Sequence, residues 1–598
     1  MAARTEGMKV MISSGNYAAF ARPRKPRRVE CKSAYIVGTG LAALATACFL
    51  VRDGQMKGEH VHLFEKCQLP GGACRSRRIP GVGYAMAAEQ ALDEHCEVLW
   101  DLMRSVPSLE LDDASIFDEA YWLDRDDPNV SQCRVTEKRG EALGAKFGLS
   151  DQACAELWKL FAASDDELSG RTIGEVLDDE VFNTNFWLCW STSYGFAPWH
   201  SALELKRAFR TYMHQIDGLT TNRQQRFLRY NEYDSLILPM VHYLEGYGVR
   251  FHYNTKVTDV EFECNDGKKM ARSISLVASD HEAHIDLTED DLVFLTNGGC
   301  VENFSVGSQD APPAFDTVPR PGSGWELWKR IAAQDTAFGR PSAFCSDPDR
   351  TSWVGATVTT RDERIVPYIR SICRREAFAG HTVTGGLLTA RDSNWLLSWT
   401  FGRQPRFRDQ QKGQLVGWLY GQFPEKLGNY IQKPMRECTG REICAEWLYH
   451  LGVPEAEIDD MADSGANTVP VMMPYATACL MPRTATDRPK VVPDGSVNFA
   501  FIGQFAETAY DAAFSLEYAA RTGMEAAYTL LGIERAVPEP WGEACDVRDI
   551  VKATVALRDG RPLTDWSLSW LGRFAVGKAV DRVMDTDLGK LLQKYQAI

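Results

Sequence analysis

The chain has 598 residues, which predicts two to four domains because one hydrophobic core does not grow to this size. Its formal net charge of −15 argues against a general nucleic-acid-binding protein, because phosphates would be repelled. The 16 cysteines include no CxxC pair, so we expect reduced core cysteines, no metal site and a cytoplasmic protein. No apolar run approaches the ~18 residues that a membrane span needs, and the basic N-terminal residues lack a signal core.

The first regular elements are predicted at residues 34–65, which read as strand, glycine turn, alanine-rich helix and second strand. The turn, GTGLAA at 38–43, has the GxGxxA pattern of a dinucleotide site. Gly38 permits the tight turn, Gly40 lets backbone approach a pyrophosphate, and Ala43 allows close helix–strand packing. Glu65 ends the second strand, where its carboxylate would accept hydrogen bonds from ribose hydroxyls. This unit predicts a parallel sheet in an α/β domain.

Later glycines favour FAD over NAD as the dinucleotide. A glycine pair at 71–72 follows the acid directly, and strand-like stretches at 249–263, 291–299 and 497–507 predict returns of the chain to the cofactor. The predicted FAD-binding residues are Gly38, Gly40, Ala43, Glu65, Gly71, Gly72, Val257, Asn297, Gly298, Gly503, Gln504 and Phe505. A βαβ unit without a ligand is the plainer alternative.

Residues 83–95, GYAMAAEQALDEH, concentrate four titratable side chains in seven positions. Glu89 and Asp93 are four residues apart, so on a helix they would share one face. The stretch is predicted either to carry acid–base chemistry or to form the solvated face of a helix.

Ten long strings are similar to one family and span about residue 12 to beyond 530. They include GTGLAALATACFLVRDGQM, EVLWDLMRSVPSLE, FAPWHSALELKR, EWLYHLGVPE, MPYATACLMPR and NFAFIGQFAET. The chain thus resembles the oleate hydratases, FAD-containing fatty-acid hydratases once called myosin-cross-reactive antigens. The resemblance implies a flavin domain, a substrate domain with a buried acyl tunnel, and the addition of water to a cis double bond without net flavin redox. A carboxylic acid and a tyrosine would carry the proton chemistry.

The resemblance also implies that both catalytic positions have changed. Alignment on the GY and EH ends of 83–95 puts the family's glutamate at Ala91, and alignment around KR and HxID puts its tyrosine at Ala208. Glu89 is the candidate replacement acid, because burial beside a flavin would keep it protonated; a solvated helix acid is the alternative. Tyr212, one helical turn after Ala208, is the second candidate, with core packing as its alternative. We expect no chemistry from Asp93, Glu94 and His95.

The family binds the fatty carboxylate with a TxNRQPH string, which here reads TFGRQPR from Thr400 to Arg406. Threonine is retained, asparagine becomes Gly402 and histidine becomes Arg406. Because an arginine can hold a carboxylate with two hydrogen bonds, Thr400 and Arg406 are the predicted substrate-binding residues.

We predict an α/β fold with a Rossmann-like FAD-binding domain, an inserted substrate domain and a mainly helical C-terminal region. The predicted divisions are an arm at 1–30, FAD-domain segments at 31–135, 246–310 and 491–535, substrate-domain segments at 136–245 and 311–490, and C-terminal helices at 536–598.

Three classes of function remain open. The first is an FAD-dependent enzyme that hydrates or isomerises a carbon–carbon double bond of an unsaturated fatty-acid-like or polyene chain. The second is a redox flavoenzyme, a desaturase or oxidase, on an acyl or polyketide chain. The third is a non-catalytic acyl- or membrane-binding flavoprotein, since residues 563–598 mix tryptophans with basic residues as an interfacial helix does. The resemblance adds homodimerisation and peripheral contact with a membrane as expectations.

Overall fold

The computed structural model describes residues 23–144, 146–265, 267–279, 281–509, 511–541, 546–562, 565 and 587–594. Most of the predicted N-terminal arm and most of the proposed membrane-binding segment 563–598 therefore lie outside the described residues. In the part of the chain that is described, no helix is long and apolar enough to cross a bilayer.

A five-stranded parallel sheet organises the first part of the fold. Its strands, in spatial order, are Phe499–Ile502, Asp291–Thr296, Ser33–Val37, Val61–Phe64 and Arg250–His252. All four neighbouring pairs are parallel. Strands that are distant in the sequence are thus neighbours in this sheet. The predicted Rossmann-like α/β fold is confirmed.

The helix Leu41–Arg52 connects the first two strands, as the βαβ pattern predicts. All but its last residue are buried, because it packs between the sheet and the helix Leu516–Leu531. Gly523 lets these helices approach closely: a Cβ there would lie 2.7 Å from Thr46 Oγ1 and 2.9 Å from the Ala42 carbonyl oxygen. Because this packing holds the helix Leu41–Arg52 in place, it also holds the glycine turn that precedes the helix.

The second large sheet of the fold has eight strands. Its order is Ser305–Val306, Ala466–Met473, Trp353–Thr360, Leu415–Gly421, Leu397–Thr400, Leu388–Ala390, Val135–Glu137 and Glu141–Ala142. The neighbours are antiparallel except for the pair formed by Leu388–Ala390 and Val135–Glu137. The helix Gly440–Leu451 and the short strand Gly83–Met86 both pack against it.

The remaining strands form small units. A three-stranded antiparallel sheet contains Thr255–Asn265, Lys268–Ala278 and His281–Asp286, and two pairs join Ser76–Ile79 to Gly83–Met86 and Leu92–Asp93 to Gln225–Arg226.

Many of the helices lie in the first half of the chain. These are Glu97–Met103, Ile116–Asp126, Asp151–Ala162, Asp165–Leu168, Asp179–Phe182, Asn185–Tyr194, Ala202–Thr211 and Leu238–Gly246. Later in the chain come Gly324–Ala332, Ser342–Cys345, Pro348–Thr351, Val366–Cys373, Glu455–Asp460, Val547–Leu557 and Asp587–Lys594. The helix Val547–Leu557 packs on the turn Met213–Gly218, so this part of the C-terminal region covers the helical layer.

The helical interpretation of residues 83–95 is wrong. Gly83–Met86 is a strand, 87–91 form a loop, and Leu92–Asp93 pair with Gln225–Arg226. The strand is pinned because Tyr84 and Met86 enter one apolar cluster while Ala85 and Ala87 enter another. Tertiary packing thus overrides the helix propensity of the alanines.

Candidate functional site

A groove of about 510 Å³ runs along the carboxyl edge of the parallel sheet. The glycine turn borders it with Gly38 at a φ of 94°, a value that favours glycine. Gly40 caps the following helix without a side-chain hydrogen bond, so the first amides of that helix are available to a phosphate.

The acidic end of the groove is held by a hydrogen-bond network around Glu65. Its Oε2 accepts a hydrogen bond from Thr39 Oγ1 at 2.5 Å, and its Oε1 accepts one from the Cys67 amide at 2.9 Å. Arg75 Nη2 lies 3.8 Å from the same carboxylate and lines the groove. A fixed carboxylate beside a cation suits a ribose and its diphosphate.

The residues present fit a flavin dinucleotide. Gly40 and Gly72 face each other so closely that a Cβ at Gly72 would lie 3.1 Å from the Gly40 Cα. Side chains at these two positions would fill the passage that a pyrophosphate needs. The predicted residues that line the groove are Gly38, Gly40, Glu65, Gly71, Gly72, Val257, Gly298, Gly503 and Gln504.

Three predicted cofactor residues lie elsewhere. Ala43 is fully buried in its helix, in keeping with the packing role that was expected of it. Asn297 is 3% exposed, and its Nδ2 has no hydrogen-bond partner among the described residues. Phe505 does not line the groove; it packs on Trp325 and Trp328 because those rings enclose it.

A second cavity, of about 190 Å³, adjoins the groove. The two spaces share a wall, to which Gln90, Cys300, Gln504 and Phe514 contribute. A molecule in the cavity would therefore contact the same residues as a dinucleotide in the groove.

The wall of this cavity is largely aromatic and apolar. Its large side chains are Leu92, Tyr194, Tyr212, Phe227, Trp353, Leu387, Trp418, Tyr420, Met473, Leu480, Phe514 and Leu516. Among the described residues, the charged side chains that line it are Glu89 and Asp93, and neither lysine nor arginine does so. The cavity suits an uncharged hydrocarbon chain that meets two carboxyl groups.

Glu89 belongs to a buried cluster of two glutamates around one arginine. Its Oε1 lies 3.1 Å from Arg406 Nη2, and Glu232 Oε1 lies 3.4 Å from the same nitrogen. The side chains of Glu89, Arg406 and Glu232 are 2%, 3% and 5% exposed, respectively. Of the three, only Glu89 borders the cavity.

Burial raises the pKa of Glu89 to about 7, against the opposing charge of Arg406 and with a further increase from Glu232. Burial likewise raises the pKa of Glu232, and Arg406 again opposes it. One guanidinium cannot neutralise two carboxylates, so the cluster favours a protonated Glu89 near neutral pH. The solvated-helix alternative for Glu89 is thereby wrong.

The cluster changes the interpretation of Arg406. The sequence predicts that it holds a substrate carboxylate, but its Nη1 donates to the Tyr230 carbonyl oxygen at 2.6 Å and its Nη2 faces both glutamates. Its charge is thus already compensated. Gly402 leaves the room for this arrangement, since a Cβ there would lie 3.3 Å from Glu89 Oε1.

The other predicted residues separate into two groups. Tyr212 and Thr400 line the cavity, with the Tyr212 ring stacked 4.7 Å from that of Tyr194 and Thr400 Oγ1 3.0 Å from Thr384 Oγ1. Ala91, the position at which the resemblance implies the family's glutamate, also lines it. Ala208 is fully buried in the helical core.

Sequence reasoning missed Asp93, whose side chain is 10% exposed and borders the cavity. It accepts hydrogen bonds from His214 Nε2 at 2.9 Å and from Gln215 Nε2 at 2.6 Å. Asp93 lies inside the fold because the pairing of Leu92–Asp93 with Gln225–Arg226 draws it inward. The partner lies 121 residues away, and no local pattern signals the contact.

The fold and the groove define an FAD-binding α/β flavoprotein. Cyclohexylamine oxidase from Brevibacterium oxydans IH-35A is similar in fold, with a TM-score of 0.52 at 11% identity over 84% of this chain and 99% of that one. Residues 31–528 match the MCRA family, and the chain belongs to that family. Family membership confirms the resemblance drawn from the sequence and, with the groove, identifies FAD as the cofactor.

Two relatives are named for their activities. A Streptococcus pyogenes protein described as oleate hydratase is 45% identical over 565 residues, which cover 93% of this chain and 95% of that protein. A Lactiplantibacillus plantarum protein described as linoleate hydratase is 29% identical over 571 residues, or 88% and 98% of the two chains.

Proposed function

We propose that this protein is an FAD-dependent enzyme that protonates a carbon–carbon double bond of an unsaturated fatty-acid-like or polyene chain, with Glu89 as the acid. The observation that carries the proposal is the position of Glu89: a buried carboxyl group that borders an aromatic cavity adjoining the FAD groove. The relatives named for oleate and linoleate hydration support a double bond as the reacting group.

The physical argument concerns the weak basicity of an alkene. Protonating one requires an acid that is still protonated at working pH and is held close to the reacting carbon. The raised pKa of Glu89, about 7, meets the first requirement. The burial of the Glu89 side chain, which is 2% exposed, supports the second, because little bulk water reaches it to compete for the proton.

Hydration and double-bond isomerisation share this first proton transfer. Hydration is supported by the 45% identical relative. Isomerisation is favoured because Ala91 and Ala208 stand where the resemblance places the family's glutamate and tyrosine. The group that would activate water therefore has no direct counterpart at either position. Tyr212 remains a proposed second participant, since its ring borders the cavity.

The polar end of the substrate is proposed to lie away from Arg406. The charge of that arginine is compensated by two glutamates, and the described cavity wall offers no other cation. A free carboxylate would meet Glu89 and Asp93 instead, so an uncharged or distant head group is favoured. Thr400 can still donate or accept a single hydrogen bond from the wall.

The groove residues would hold FAD through backbone amides and charged side chains. The amides after Gly40 and the side chain of Arg75 suit the diphosphate, and Glu65 suits the ribose. When bound, FAD would supply a polar ring system, without net redox in a hydration or isomerisation. Gln90 and Gln504 border both spaces and would contact both ligands.

The test is an anaerobic incubation of FAD-loaded protein with an unsaturated acyl panel in H₂¹⁸O, with and without prior flavin reduction, read by mass spectrometry. An ¹⁸O-bearing hydroxy product is expected for hydration, and a product of unchanged mass with a moved double bond for isomerisation. Loss of two hydrogens would show a redox enzyme and contradict the proposal. No product from any substrate would contradict it in favour of a binding protein.

A further inference from the structure

The pair of Asp93 and His214 lies between the cavity and the protein surface. On one side, Asp93 borders the cavity. On the other, His214 borders a separate surface groove of about 590 Å³. The 2.9 Å hydrogen bond from His214 Nε2 to Asp93 Oδ1 joins the two spaces.

The geometry orients this pair firmly. Besides His214, the Asp93 carboxylate accepts hydrogen bonds from the His95 amide at 3.0 Å and from Gln215 Nε2 at 2.6 Å. The His214 ring meets the ring of His95 edge to face, with centroids 4.8 Å apart. Its Nδ1 has no hydrogen-bond partner among the described residues, so one ring nitrogen is committed to Asp93 and the other is not.

From this arrangement we propose that Asp93 is the catalytic base of the reaction and that His214 positions it and holds it as a carboxylate by donating from Nε2. The inference rests on the proposed function, because it assigns the second half of the proton chemistry that Glu89 begins. It gives the cavity two carboxyl groups with opposite tasks.

The proton balance is complete within the chain and solvent. In hydration, the Glu89 proton forms the new C–H bond, water adds its oxygen to the neighbouring carbon, and the proton released by that water goes to Asp93. In isomerisation, Asp93 instead takes a proton from the carbon on the other side of the former double bond, and that electron pair forms the new one. Asp93 then gives its proton to water that enters as the product leaves, and Glu89 takes a proton from water, so no oxidant or reductant is needed.

The electrostatics support opposite roles for the two acids. Burial raises the pKa of Asp93, but its hydrogen bonds and the neighbouring His214 outweigh burial, so the net effect is a lowered pKa. Burial lowers the pKa of His214, whereas the hydrogen bond and charge of Asp93 outweigh that effect and raise it. Two carboxyl groups whose surroundings move their pKa values apart are the usual sign of an acid and a base in one site.

Other charged groups face the pair from three sides. Glu94 lies on its own segment, and Asp549 lies on the covering helix Val547–Leu557; both favour the protonated His214. The surface groove also contains Asp217, Arg223, Asp546, Arg548 and Lys552. The nearby acids favour the protonated ring, whose Nε2 proton stays hydrogen-bonded to the Asp93 carboxylate.

The experiment compares Asp93→Asn and Asp93→Ala with Glu89→Gln in FAD-loaded protein, on the substrate of the panel that the wild type turns over fastest. Asp93→Asn is expected to lower kcat by ~100-fold or more while bound FAD and KM change by less than about threefold. Sodium formate is expected to raise the activity of Asp93→Ala at least about tenfold, because a free carboxylate can replace the missing base. A purely structural Asp93 would not respond to formate.

His214→Gln and Asp101→Asn complete the set. His214→Gln is expected to lower kcat less than Asp93→Asn and to shift the acidic limb of the pH profile upward, because Asp93 loses the cation that lowers its pKa. Asp101, whose partners are Arg52 and Arg535, is the matched control: Asp101→Asn lowers thermal stability and leaves kcat within about twofold.

The outcomes separate the assignment of Asp93 as the base from the assignment of Glu89 as the acid. The inference is overturned if Asp93→Asn keeps kcat within threefold of the wild type, or if Asp93→Ala is inactive and formate fails to rescue it. An active Asp93→Asn beside an inactive Glu89→Gln would overturn this inference alone. An active Glu89→Gln beside an inactive, formate-rescued Asp93→Ala would overturn the acid of the proposed function and leave the base standing.

Discussion

Glu232→Gln tests whether the buried cluster sets the acidity of Glu89. Both glutamate oxygens lie near the same Arg406 nitrogen, at 3.1 and 3.4 Å, so they are at most about 6.5 Å apart. At an effective dielectric constant of about 20, two unit charges at that distance repel by about 2.5 kcal/mol. The isosteric glutamine removes this repulsion and can keep the hydrogen bond that the Gln90 amide donates at 3.1 Å.

The sign of the effect follows from the same cluster. Without the charge of Glu232, Arg406 pairs with Glu89 alone, and the pKa of Glu89 falls from its raised value of about 7. The protonated acid is then lost at lower pH. We expect the alkaline limb of kcat to move down by about one to two pH units, which lowers kcat at pH 8 by about 10- to 100-fold.

The assay is kcat between pH 5 and 9 for the wild type, Glu232→Gln and the control Asp101→Asn, each with FAD bound. The control changes an ion pair with Arg52 that lies outside the cavity, so its pH profile should match the wild type. An alkaline limb that stays in place in Glu232→Gln, or moves up, would refute the reasoning that the charge of Glu232 raises the pKa of Glu89.

Three further predictions address packing, cofactor and substrate. Gly523→Ala should lower the free energy of unfolding by about 1–3 kcal/mol, measured in urea, because its Cβ would lie 2.7 Å from Thr46 Oγ1; an unchanged midpoint would contradict the close helix contact. Gly72→Ala should reduce the flavin absorbance per protein, because its φ is 52° and its Cβ would enter the passage beside Gly40; full FAD occupancy would contradict the placement of the dinucleotide. A fatty-acid methyl ester should bind with a KM no more than about threefold above that of the free acid, because Arg406 is already compensated; a tenfold or larger preference for the acid would restore Arg406 or another cation as its ligand.

The FAD groove could be predicted from the sequence because its main parts are local. The glycine turn, its helix and Glu65 lie within one βαβ unit, where a short spacing determines the geometry. Phe505 shows the limit of that reasoning: it follows Gly503 and Gln504 in the chain, yet aromatic packing turns it away from the groove.

The acid–base groups were less predictable because tertiary contacts create them. The alanines around Glu89 favour a helix, but the strand before them is locked into two apolar clusters and Arg406 binds the glutamate from a distant loop. Asp93 appears as one charge among several until His214, 121 residues later, donates to it. The sequence pattern predicts Arg406 as a substrate ligand because its two buried partners are far away in the chain.

The most direct test of the account is the turnover of Glu89→Gln in FAD-loaded protein, because the central claim is that the Glu89 carboxyl protonates the double bond. Glutamine keeps the size and a hydrogen-bonding oxygen but cannot donate a carboxylic proton. The account predicts a kcat at least ~100-fold below the wild type, with KM and bound FAD within about threefold. A variant that keeps kcat within threefold of the wild type would contradict the assignment of Glu89 as the acid.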